Sequence, residues 1–123
     1  MQIAITSQNR RTITAHAGKC RRFWIYDVEN TRINNKRLVE LPIEQSFHAK
    51  HHGLPEALSG ISVLITAGMG CNLFRRLIEF GVQPLLADEG DPDHAITDFL
   101  AGRLVTHSPE SNCHKNQESL HAH

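Results

Sequence analysis

The side chains of this chain best suited to hold a ligand are its nine histidines and three cysteines. Imidazole nitrogen and thiolate sulfur are the donors that soft and borderline metals prefer. In "SFHAKHHG" (46–53), His48, His51 and His52 stand at i, i+3 and i+4. A turn or two of helix across 43–52 would therefore put all three on one face. The spacing is neither a zinc-finger nor an HExxH pattern, and a solvated imidazole-rich loop fits the same residues. In "TAHAGKCRRF" (14–23), His16 and Cys20 lie among Lys19, Arg21 and Arg22. A soft metal or a cluster would use the imidazole and the thiolate, and the cations would offset its negative charge. A basic loop with an incidental histidine and a small apolar cysteine is the competing reading.

A third stretch, "TAGMGCN" (66–72), runs from an apolar segment into a helical one. Gly68 and Gly70 would let backbone amides approach a ligand, and the helix N-terminus would favour an anion. Cys71 would fall in the first turn, where thiol pKa values drop. Glycine turns of this kind also serve purely structural ends. The last stretch, "THSPESNCHKNQESLHAH" (106–123), carries Cys113, His114, His121 and His123 with little apolar content. Such tracts bind divalent metals promiscuously, and the composition reads as a disordered tail after a domain spanning 1–104. Asp88, Glu89, Asp91 and Asp93 cluster before the final helical segment, where capping accounts for several of them. No nucleophile elbow, Walker loop or dinucleotide fingerprint occurs, so nothing in the chain points to turnover.

Charge narrows the ligand. The whole chain is neutral, but residues 1–37 hold eight Lys/Arg against two acids, and the rest holds five against eleven. One end therefore attracts anions although the molecule as a whole does not. The opening "MQIAIT" lacks the pattern of a signal peptide, and no apolar run reaches bilayer length. With an odd cysteine count, a reduced cytoplasmic protein is expected.

The elements that would position these groups are legible from pattern. "QIAIT" (2–6), "FWIYDV" (23–28) and "KRLVELP" (36–42) read as strands, with a further extended piece at 11–14 and turn chemistry in "ENTRINN". Short connections imply an antiparallel meander. "ISVLITAG" (61–68) is apolar throughout, as in a strand buried on both faces, and "VQPLLA" (82–87) is the next strand. Helices are expected over 54–60, 71–81 and 91–102. Leu73, Leu77 and Phe80 would face the core from the second; Ala95, Ile96, Phe99 and Leu100 would do so from the third. The result is an α/β domain: a mixed five-stranded sheet, meander first and parallel βαβ second, with about three helices.

The run "IAITSQNRRTITAHAGKCRRFWIYDV", the "SFH" with its trailing histidines, "VLITAGMGCNLFRRLIEFGVQPLLA" and "AITDFLAG" together resemble the dinitrogenase iron–molybdenum cofactor biosynthesis family. That family includes NifX, NafY and the C-terminal domain of NifB-type proteins. The likeness covers residues 1 to about 104, and its most specific part is H-x-G-x-x-x-x-F-x-I-Y from His16 to Tyr26. It implies an RNase H-like fold that binds an iron–sulfur or iron–molybdenum–sulfur cluster, or a precursor, as cargo without catalysis. Donor and acceptor assembly proteins would be its partners, with no nucleic acid or membrane involved. By position, His16 matches the family's loop histidine, and Gly68 and Gly70 match its glycine turn. Two other classes remain for comparison: an RNase H-like nucleic-acid module, and a metal-storage protein acting through the tail. Nuclease chemistry needs clustered carboxylates, and "QIAIT" supplies none.

Overall fold

The computed structural model describes residues 1–50 and 52–107. Five strands form one sheet: β1 (Gln2–Thr6), β2 (Arg22–Glu29), β3 (Arg32–Glu40), β4 (Ile61–Thr66) and β5 (Gln83–Leu86). Their spatial order is β3-β2-β1-β4-β5. The first three pair antiparallel, while β1–β4 and β4–β5 pair parallel. This is the mixed α/β sheet expected of an RNase H-like chain.

Period-two alternation sends the side chains of the central strands to both faces. Ala4, Phe23, Ile25 and Leu64 join one core with Leu73 and Leu77 of α1 (Cys71–Glu79). Ile3, Ile5, Tyr26, Val63 and Ile65 join a second with Ala95 and Ile96 of α2 (Pro92–Leu100). The sheet is thus covered on both sides, which explains why β4 reads as a continuous apolar run.

Local chemistry sets the element ends. The Asp91 side chain caps α2 by accepting from the His94 amide at 2.8 Å. Gly81, at φ +79°, ends α1: its N–H donates to Ile78 O, and the Val82 N–H donates to Leu77 O. This six-to-one, five-to-two pattern satisfies the last helical carbonyls.

Four expectations change. The turn between β2 and β3 needs only Asn30 and Thr31, both at positive φ, so "RINN" is already strand. Residues 11–14 form no strand; Thr14 N–H simply donates to Thr6 O at 3.0 Å. Segment 54–60 makes a single 3-10 turn, Glu56–Leu58, instead of a full helix. Phe80 is the C-cap of α1 and is 52% exposed, outside the core. Residues 108–123, with the expected tail cysteine and histidines from Cys113 onward, lie outside the described residues.

On the α2 face, Tyr26 donates to Asp93 Oδ1 at 2.7 Å, and Lys36 Nζ meets the same oxygen at 2.8 Å. Lys36 also lies over the Trp24 ring, 4.3 Å from its centroid. The Lys36 hydrogen bond, then that of Tyr26, holds the Asp93 carboxyl below its ordinary value near 3.8. A depressed folded pKa contributes stability that is present above the unfolded value and lost as pH falls through the folded one. Urea midpoints of the wild type and Asp93→Asn should therefore differ at neutral pH and converge below about pH 4. A difference independent of pH would remove Asp93 from the acid limb.

Candidate functional site

The carboxyl ends of β1 and β4 lie side by side in parallel register, the edge at which open α/β sheets bind ligands. Thr6 and Thr66 stand there, both fully buried, with their hydroxyls 2.7 Å apart. Thr14 O accepts within 2.7 Å of Thr6 Oγ1 and 3.1 Å of Thr66 Oγ1. Thr66 Oγ1 also lies 3.2 Å from Gly68 O. Backbone bonds complete the join: Ala67 N–H donates to Thr14 O and Ala17 N–H to Gly68 O. A Cβ on Gly68 would come within 3.3 Å of Ala15 Cβ, so this glycine is set by close approach of the two loops. Gly70 differs. Its φ is −79° and a Cβ there would meet nothing within 4 Å; it borders open space.

His16 is thereby placed beside the glycine turn. It adopts φ +59°, a left-handed conformation uncommon outside glycine, and its carbonyl accepts from Lys19 and Cys20 N–H. The tight turn leaves the imidazole exposed. His48 arrives from another part of the chain: its N–H donates to Gly18 O at 2.7 Å. Behind it, Phe47 is buried edge-on against Phe23, with ring centroids 6.2 Å apart. Arg76 of α1 clamps the same loop, one guanidinium nitrogen donating to Phe47 O at 3.0 Å and Lys50 O at 2.8 Å.

Three adjoining hollows make one groove. The first, about 440 Å³, is lined by His16, Lys19, His48 and the 68–70 turn. The second, about 540 Å³, shares Gly18, His48 and Gly70 with the first and adds Asn72, Arg75 and Arg76. The third, about 470 Å³, continues past Arg75 and Arg76 to His52, Glu79 and Phe80. Among the described residues, three cations and three imidazoles line the groove against one acid, Glu79. The N-terminus of α1 opens onto it and adds a positive dipole end.

His16, Lys19, His48, Gly68 and Gly70 thus come together as a group. His52 lies at the far end, and His51 falls outside the described residues. Arg21 and Arg22 are not in the groove. They alternate across the start of β2, where Arg21 Nε donates to Leu41 O at 2.9 Å and Arg22 donates to Gln8 O and pairs with Glu40. Cys20 is in the core, 3% exposed, its thiol donating to Arg22 O, and burial pushes its pKa up. A buried protonated thiol is a poor metal donor. Cys71 lines the central hollow, but its sulfur already has a partner. No three His, Cys, Asp or Glu side chains among the described residues form a metal-binding group. Arg75 and Arg76 were missed from sequence; their signal was the polar face Asn72, Arg75 and Arg76, at i, i+3 and i+4 after the glycine turn.

Fold and groove together define a small α/β domain with a cationic, imidazole-bearing cleft over its parallel strand ends. The chain belongs to the dinitrogenase iron-molybdenum cofactor family, which it matches over residues 1–102. It is 26% identical over 106 residues to an uncharacterised protein of Methanocaldococcus jannaschii, covering 85% of this chain and 89% of that protein. The crystal structure of PH0822 superposes with a TM-score of 0.72 at 24% identity, covering 86% of this chain and 94% of the other. A Thermotoga protein solved by NMR and provisionally named NifB gives a TM-score of 0.61 at 26% identity, covering 85% and 91%. No helix among the described residues is long and apolar enough to cross a membrane.

Proposed function

We propose that this chain is a cytoplasmic, non-catalytic carrier of an iron–sulfur or iron–molybdenum–sulfur cluster, or of a precursor. It would receive the cargo from one assembly protein and pass it to another. The observation that carries the reading is the meeting of His16, Lys19 and His48 with the Gly68–Gly70 turn in one open groove. A metal–sulfur cluster is anionic, so it favours cations and amide donors near its sulfides and accepts imidazole at its metals. Two exposed imidazoles, with no closed ligand cage among the described residues, suit a guest that has to leave again. The family membership and the NifB name borne by the Thermotoga relative support the same cargo.

Nuclease chemistry is a poorer fit. The residues at the ends of β1 and β4 are Thr6, Ser7 and Thr66, which cannot hold paired metal ions as carboxylates do.

Anaerobic reconstitution with iron and sulfide, followed by absorption spectroscopy, tests the proposal. Cluster affinity should fall by about tenfold or more, equivalent to about 1.4 kcal/mol, in His16→Ala/His48→Ala. Failure of the wild type to hold a cluster, or equal retention by the variant, would overturn it.

A further inference from the structure

The groove is longer than the imidazole site requires, and its inner half is built differently. Beyond His48 the lining turns to Asn72, Arg75 and Arg76, with His52 and Phe80 at the outer end. Arg76 is already committed to two loop carbonyls. Arg75 is not. It is part-buried, and among the described residues its buried Nε has no hydrogen-bond partner and it forms no ion pair, although Glu79 stands four residues on along the same helix. Its charge is therefore left without a partner among the described residues, and an anion from outside the chain would supply one. The Arg75 side chain borders both inner hollows, which lets an entering ligand reach it.

We propose that this inner half of the groove is an oxyanion subsite, with the Arg75 guanidinium as its principal donor. The planar guanidinium matches two oxygens of a carboxylate or of a tetrahedral oxyanion. Asn72 lines the same hollow and adds an amide donor, and the first turn of α1 adds positive potential. The subsite rests on the carrier reading only in what lies next to it: the oxyanion is either free and inorganic, or a carboxylate borne by the neighbouring cargo.

The experiment uses the full chain without cluster, so it stands apart from cluster loading. At low salt the protein is titrated with inorganic sulfate and, separately, with succinate. Binding is read from the Arg75 Nε–H and Asn72 amide signals by NMR. A saturable shift of Arg75 Nε–H is expected with at least one of the two. Sulfate alone would mark a free inorganic oxyanion, and succinate alone or more tightly bound would mark a carboxylate. Arg75→Lys, which keeps the charge and loses the fork, should bind about tenfold more weakly by the Asn72 signal. No shift of Arg75 Nε–H with either anion, or equal binding by Arg75→Lys, would overturn the subsite.

Discussion

Phe47→Ala should lower unfolding stability by about 3–5 kcal/mol and, in the same variant, weaken cargo binding. Phe47 is 1% exposed and fills the core between the sheet and the loop that carries His48. Its ring meets Phe23 edge-on, the geometry that aromatic pairs favour beyond simple burial. Truncation removes a whole ring from a close-packed layer, and the walls belong to β2 and α1, which cannot collapse inward without breaking the sheet. The next residue is His48, held to Gly18 by one backbone hydrogen bond, so a loosened residue 47 frees the imidazole as well. Urea unfolding should show a lower midpoint with unchanged slope. Phe47→Leu, which keeps most of the volume, should recover more than half of both losses. Wild-type stability in Phe47→Ala would mean that the loop does not depend on this anchor.

The strands were legible because burial on both faces leaves β-branched runs that few other structures tolerate. The start of β3 was not. It is an edge strand exposed on both sides, so Arg32, Asn34 and Asn35 carry no apolar alternation and resemble a turn. Phe80 misled for the opposite reason. Its spacing from Leu77 suits a core position, but it sits at the helix end, where its ring lines the groove instead of the core.

In the site, the glycine turn and His16 could be read because each needs an unusual backbone or a close approach that marks local sequence. Arg21 and Arg22 looked equivalent to Lys19 by proximity, yet strand pairing carries them to Leu41 and Glu40 instead. Arg75 and Arg76 gain their meaning only when loop 46–50, some 25 residues earlier in the chain, folds over them: Arg76 bonds residues 29 and 26 positions away. No window of sequence contains that event.

Thr66→Val is expected to cost about 2–3 kcal/mol and to abolish the common geometry of the two loops, although it barely changes side-chain shape. Valine suits a buried β4 position as well as threonine does, so packing and strand propensity are nearly constant. Only the hydroxyl is lost. Thr6 and Thr66 carry one hydroxyl hydrogen each, and these two hydrogens serve each other, Thr14 O and Gly68 O in a fully buried cluster. Removing one oxygen leaves the Thr6 hydroxyl with Thr14 O alone, and the Gly68 N–H loses its 3.4 Å acceptor. The Gly68 N–H left unmatched carries its desolvation cost in addition to the hydrogen bonds lost, which is why an isosteric change exceeds the worth of an ordinary hydrogen bond. Through Thr14 and Gly68 the damage reaches both sides of the groove, so cluster retention should fall together with stability. Thr66→Ser keeps the oxygen and should restore both, losing only a methyl group. If Thr66→Val unfolds at the wild-type urea midpoint, the hydroxyl pair is incidental and the His16 loop is held to the glycine turn by its backbone bonds alone.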